Sequence, residues 1–272
     1  MESEASMRFS LSSLSKRAGS KQVRWIIVAG CGHTGTTITA KIIGLHQDVH
    51  GLASETRFLS KEKMYKAPKQ IKAFEKQALK QNKRVICEKT PKHIGNISFA
   101  RSVLSDVRFV LCTRHPFDTI ASYAARLSEV IDKSALKKAF ERYERANLSL
   151  LAEANYPDVL IHRYEDLVAK PESSVRRICD HTGLDYQEQM LCTDAVKTQW
   201  FGVAGDQHAS RFNLSERDHE SRRSWQVNQK IFDHRGKWKT LLQPDQVNYL
   251  CDLFQSPNPA WMLKQLNYNL KP

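Results

Sequence analysis

Gly30-Cys31-Gly32-His33-Thr34-Gly35-Thr36-Thr37 stands between two apolar patterns of different period. Before it runs Val23-Arg24-Trp25-Ile26-Ile27-Val28-Ala29, a nearly continuous apolar stretch of the length of one buried strand. After it, residues 38–45 place Ile38, Ile42, Ile43 and Leu45 on one side of a helix. Strand, glycine turn and helix together aim backbone N–H groups and a helix N-terminus at a phosphate. Gly30 and Gly35 have the G-x-x-x-x-G spacing of a P-loop, but the following pair is Thr36-Thr37 and not Lys-Ser or Lys-Thr. The lysine that would reach a β/γ-phosphate is missing, which disfavours ATP or GTP hydrolysis.

The same alternation continues along the chain. A short strand or extended loop is expected over residues 48–54, a charged amphipathic helix over 68–81 and a short buried strand within 83–88. Lys89-Thr90-Pro91 forces a turn, and a helix is expected over 93–104. Residues 107–113 read as the central strand, and Pro116 opens a helix over 117–127. A long helix over 134–155, a strand over 159–163 and a helix over 171–181 stopped by Gly183 follow. Strand–helix repetition predicts an α/β fold, a single domain whose central parallel sheet is flanked by helices. Residues 187–229 are polar with isolated aromatics and read as irregular structure over the C-terminal edge of that sheet, where substrate contacts belong. A last helix is expected over 244–254.

Residues 1–22 read as a flexible, serine-rich tail without the apolar core of a signal peptide, and residues 23–272 as the domain. No apolar run approaches the roughly 20 residues of a membrane span. The formal net charge of +13 suits an anionic cofactor, an acidic acceptor or a nucleic acid; no zinc spacing, RNA-binding signature or basic repeat favours the last. None of the six cysteines forms a C-x-x-C pair, and Cys31, Cys87 and Cys112 lie in or beside strand runs, as buried free thiols do. A reducing compartment, the cytoplasm, fits this usage.

The Gly-Thr-Thr turn resembles the 5′-phosphosulfate loop of sulfotransferases that use 3′-phosphoadenosine 5′-phosphosulfate (PAPS), and four further places match that family in order. The resemblance implies cofactor contacts from Gly32, His33, Thr34, Gly35, Thr36 and Thr37. It implies that Arg114 and Ser122, at a strand end and on the next helix, read the 3′-phosphate. A cation plus a hydroxyl suits a dianion. Glu55-Thr56-Arg57 is similar to the Glu-Thr-Arg of tyrosylprotein sulfotransferases; there Glu55 would be the base and Arg57 would hold an acidic acceptor or orient Glu55. Lys89 would reach the bridging oxygen, where charge develops as the bond to sulfur breaks. Tyr164, Ser224 and Gly236-Lys237-Trp238 resemble later cofactor contacts.

One position departs from the pattern. Where the family usually has Lys or Arg in the loop, this chain has His33, with an unperturbed pKa of about 6.5. Either His33 is a pH-sensitive cation raised by the adjacent phosphate, or it is a neutral donor and Lys89 carries the charge. The resemblance implies transfer of a sulfuryl group from PAPS to a hydroxyl of a protein tyrosine, a saccharide or a small molecule. Adenosine 3′,5′-bisphosphate (PAP) would be released with no metal required, and neither a nucleic acid partner nor an integral membrane segment is expected. The rival readings are a small-molecule kinase with a degenerate P-loop and a non-catalytic nucleotide- or anion-binding protein.

Overall fold

The computed structural model describes residues 22–206 and 216–270. Apart from residue 22, the tail expected at the N-terminus lies outside the described residues. Five strands, β1 (Arg24–Gly30), β2 (Val49–Gly51), β3 (Val85–Lys89), β4 (Val107–Thr113) and β5 (Val159–Arg163), form one sheet in the order β2-β3-β1-β4-β5. Every pairing is parallel. The connections run through α1 (Thr36–Gly44), α2 (Ala67–Lys80), α3 (Ile97–Val103), α4 (Pro116–Leu127) and α5 (Lys133–Glu153). After β5 come α6 (Tyr164–Ala169), α7 (Pro171–Thr182), α8 (Glu216–Gln226), α9 (Pro244–Phe254) and α10 (Pro257–Gln265).

Alternation along the strands sorts the two faces. Trp25, Ile27 and Ala29 of β1, with Phe109 and Leu111 of β4, pack against α4, α5, α9 and α10. Ile26 and Val28, with Val110 and Cys112, pack against Ala40 and Ile43 of α1 and Ile178 of α7. A strand covered on both sides has no solvent face, which explains why β1 and β4 read as unbroken apolar runs. The first crossover leaves β1 toward β3 and β2, and the chain returns past β1 to β4. The turn after β1 therefore sits at the point where strand order reverses, where doubly wound sheets bind ligands.

The strand calculus and most helices match the expected positions, with three differences. The helix expected over 93–104 is split: Pro91–Asn96 is a 3₁₀ turn, Asn96 has non-helical angles, and α3 begins at Ile97. Glycine at 95 and the inward turn of His93 toward Glu88 break the α pattern there. The stretch 187–229 is not irregular throughout. It contains 3₁₀ turns at Glu188–Leu191 and Trp200–Gly202, then α8. Its sequence ERDHESRRSWQ carries no apolar stripe, so periodicity cannot announce it. Finally, α6 and α10 are elements for which the sequence reading has no counterpart.

Candidate active site

Gly30, at the end of β1, has φ 144°, and a Cβ there would lie 2.2 Å from the carbonyl oxygen of Cys112 on β4. Only glycine lets the strand end this close to its neighbour. The loop is then closed from inside: the Thr34 hydroxyl donates to the carbonyls of Cys31 (2.6 Å) and Cys112 (3.2 Å). Thr34 is buried and does not line the cavity, so its side chain shapes the loop and is not a ligand contact. Gly35 has φ 88°, and a Cβ there would meet the Tyr164 ring at 2.9 Å. Directly after it α1 starts, and the N–H groups of its first turn have no partner within the helix.

A cavity of about 610 Å³ opens on this turn. Gly32, His33, Gly35, Thr36 and Thr37 line it, together with Glu55, Arg57, Arg114, Ser122 and Tyr164. The structure thus brings ten of the expected residues to one space. It does not bring all of them. Lys89 is fully buried behind Glu55: its Nζ is 2.8 Å from Glu55 Oε1 and 4.9 Å from the centre of the Trp200 ring, and it does not line the cavity. Its charge is committed to Glu55 and not to an open anion site.

Ser224 is likewise buried. Its hydroxyl accepts from the N–H of Trp200 (3.0 Å) and donates to the carbonyl of Val203 (2.7 Å), tying α8 to the preceding 3₁₀ turn. Gly236, Lys237 and Trp238 do not line the cavity either. The N–H groups of Gly236 and Trp238 donate to the Asp118 carboxylate at 2.9 and 3.0 Å, and the Trp238 ring stacks on His115. Phe232 and His234, a few residues earlier, reach the cavity instead, held by Tyr164: its hydroxyl donates to the Phe232 carbonyl (2.7 Å) and accepts from the His234 N–H (3.3 Å).

Arg114 crosses this end of the site. Its Nη2 donates to the His234 carbonyl (2.6 Å) and lies 3.7 Å from Asp118, and its guanidinium sits 4.5 Å over the Tyr164 ring. Its Nε is buried and unpartnered. A desolvated donor without an acceptor is costly, and an anion would satisfy it.

His33 has φ 73°. Its Nδ1 is 2.9 Å from the Ser122 hydroxyl, and its Nε2 is buried without a partner. Burial, then Arg223, Arg126, Arg142 and Arg114, hold the ring well below the usual imidazole range. An imidazolium here would join four guanidinium groups, which favours the neutral-donor alternative for His33 over the cationic one.

Glu55 is positioned through its neighbour. Glu88, buried at the end of β3, accepts from the Thr56 N–H (3.2 Å), the Thr56 hydroxyl (2.8 Å) and the Thr90 hydroxyl (2.6 Å). The other Glu88 oxygen is 3.0 Å from His93 Nδ1. Burial raises the Glu55 carboxyl, but Lys89, Arg223 and Arg57 outweigh it and hold the group below the usual carboxylate range. It is ionised at neutral pH and able to accept a proton.

Sequence reasoning missed much of the charge. Arg126, Arg142, Arg223, Lys92 and Lys230 also line the cavity, so seven Lys and Arg side chains face two carboxylates, Glu55 and Glu220. Arg126 lies four residues after Ser122, on the same side of α4, a spacing that identifies it. Arg142 and Arg223 come from helices remote in sequence and carry no such signal. Among the described residues no His, Cys, Asp and Glu cluster is arranged to hold a metal.

A glycine turn at the switch point, a cationic cavity and an ionised carboxylate are features suited to an anionic, phosphate-bearing ligand. Residues 60–188 match the model described as the Sulfotransferase family. The fold agrees with solved sulfotransferases. The sulfotransferase domain of the Synechococcus PCC 7002 olefin synthase superposes with a TM-score of 0.62 at 15% identity, over 94% of this chain and 99% of that one. The sulfotransferase domain of the curacin biosynthetic pathway gives 0.59 at 16% identity, over 92% and 99%. Mouse sulfotransferase SULT7A1, complexed with PAP, gives 0.52 at 14% identity, over 90% and 89%. No curated protein matches the sequence. The chain thus shares the fold of these sulfotransferases, and its residues 60–188 are similar to that family.

Proposed function

We propose that residues 23–272 act as one domain that transfers a sulfuryl group from PAPS to a hydroxyl, releasing PAP. The observation that carries this reading is the meeting of the Gly32–Thr37 turn, Arg114 and Glu55 on one cavity. The residues present suit the donor: the α1 N-terminus and the Thr36 and Thr37 positions suit a 5′-phosphosulfate, and the unpartnered Nε of Arg114 suits a 3′-phosphate. PAPS would supply a sulfur centre activated by its phosphate leaving group. Glu55 takes the acceptor's proton as the new S–O bond forms. Lys89 keeps Glu55 ionised and aimed. Thr56, Glu88 and His93 hold the Glu55 segment to the sheet.

The acceptor in this reading carries negative charge. Arg57, Lys92 and Lys230 line the cavity and form no direct salt bridge among the described residues, so they favour an acidic peptide, saccharide or metabolite. The buried free thiols fit a cytoplasmic setting.

The test is transfer itself. The protein is incubated with PAPS and candidate acceptors, and a gain of one SO₃ is sought by mass spectrometry. PAP is expected to bind in titrations where ATP does not compete. Tight ATP binding with phosphoryl transfer would replace this reading with a kinase, and PAP binding without transfer to any acceptor class would replace it with a binding protein.

A further inference from the structure

The loop's own side chain brings no charge, and Lys89 is consumed by Glu55, yet a sulfuryl donor places an anion between these two. Several cations of the cavity form no salt bridge among the described residues, and one of them stands by both the loop and the base. Arg223, on α8, lines the cavity with His33 and Glu55, and no described carboxylate is paired with it. Its Nη1 donates to Gln226 Oε1 at 3.0 Å, one turn along the same helix. Arg114 is engaged by Asp118 and Tyr164, and Arg142 by the Tyr123 hydroxyl at 2.8 Å.

The helix carrying Arg223 is fixed. Ser224 also donates to the Thr198 carbonyl (3.4 Å), and Asn228 donates to the carbonyls of Thr198 (2.9 Å) and Ser224 (2.7 Å) and accepts from the Thr198 N–H (2.7 Å). Lys41 of α1 holds the same segment by donating to the Val196 carbonyl at 2.6 Å. An arginine presented on so firm a support, desolvated and in no direct salt bridge among the described residues, is a site for an anionic group. Arg223 lines the cavity beside His33 and Glu55, and its charge lowers the proton affinity of His33, Glu55 and Lys89 alike.

We infer that Arg223 is a catalytic residue that contacts the sulfuryl group during transfer, supplying from α8 the positive charge that the His33 loop lacks. The inference rests on the sulfuryl-transfer reading above. In the step, the acceptor oxygen bonds to sulfur, the bond from sulfur to the bridging oxygen breaks with its electron pair leaving on PAP, and the acceptor proton passes to Glu55. No oxidant or reductant is involved. A fixed guanidinium beside the three sulfuryl oxygens balances their charge through this exchange without costing reorganisation. Burial first, then this charge and its neighbouring arginines, disfavours the imidazolium, and the His33 ring is a hydrogen-bonding partner of Ser122.

Arg223→Gln, Arg223→Lys and the double variant His33→Lys/Arg223→Gln test this. Arg223→Gln is expected to lower kcat by about 10²-fold, the cost of losing one such donor, with the acceptor KM changed less than about threefold. In equilibrium titrations without acceptor it should weaken PAPS more than PAP, since only PAPS carries the sulfuryl group. Arg223→Lys should keep most activity, and His33→Lys/Arg223→Gln should regain at least about tenfold over Arg223→Gln. By NMR, the His33 imidazole pKa should rise in Arg223→Gln. An unmoved His33 resonance, or equal loss for PAPS and PAP, would overturn the assignment even if no acceptor were yet known. A rise in acceptor KM alone would move Arg223 to the acceptor side. If the unaltered protein transfers nothing while these binding and NMR results hold, the transfer reading fails and the placement of Arg223 stands.

Discussion

Glu55 and Lys89 divide the work of one ion pair between ionisation and aim. Replacing Glu55 by Gln keeps the shape but removes the basicity, and turnover should fall about 10²–10⁴-fold while PAP affinity holds. Near-normal turnover in a steady-state assay would move the base elsewhere, with His93 already bound to Glu88 and His115 facing Asn269 as poor replacements. The pH profile follows from the same pair. Glu55 must be ionised to act, and its carboxyl is held below the usual range of about 4.3, so kcat/KM should be retained through pH 5 and lost only as pH falls through that lowered value. An acid limb near pH 6 would contradict this. At the far end of the cavity, Arg114→Ala should cost PAP about 2–4 kcal/mol and leave adenosine 5′-phosphosulfate, which lacks the 3′-phosphate, nearly unaffected. At this scale the sequence was legible where a residue type is dictated by a short motif: the glycines, Glu55, Arg114 and Tyr164. It was illegible where a side chain's direction decides. Thr34 belongs to the motif yet turns inward, Lys89 follows the strand yet points behind Glu55, and Ser224 precedes the cavity-lining Gln226 by two residues yet faces the protein.

Among the elements, α8 is the one that propensity and periodicity could not reveal and the one on which the cavity wall depends. Its polar sequence forms a helix because Ser224 and Val227 are buried against the Trp200 turn and Asn228 caps the contact. Tertiary anchoring overrides a weak local signal. Ser224→Ala should therefore act through the helix: amide exchange over 216–226 speeds up, stability falls by about 1–3 kcal/mol for the polar partners left behind, and PAP affinity stays within about threefold. Unchanged exchange with a large loss of PAP affinity would restore Ser224 as a ligand contact. The strands were easier. β1 and β4 are buried on both faces, so hydrophobicity alone marks them, and Pro116, Pro171 and Pro244 mark the starts of α4, α7 and α9 by filling first-turn positions.

Over the whole molecule, charge and thiols have opposite distributions. The excess positive charge is spread between the cavity and the surface, where Lys69, Lys72, Lys76 and Lys80 stand exposed along α2. PAP affinity should drop as ionic strength rises from about 0.05 to 0.5 M, because the Debye length then falls to a few ångströms. The thiols are hidden. Cys87 and Cys112 lie in the strands on either side of β1 and Cys31 in the turn after it, while Cys192 is exposed. Burial pushes the Cys31 thiol up to about 11 and Cys112 to about 12, and raises Cys87 as well. In native protein, iodoacetamide should therefore mark Cys192 first and leave these three untouched. The sheet in this way carries its own clock: the time at which alkylated Cys87 and Cys112 peptides appear in a digest records when the strands part, with no probe added and no reference to catalysis.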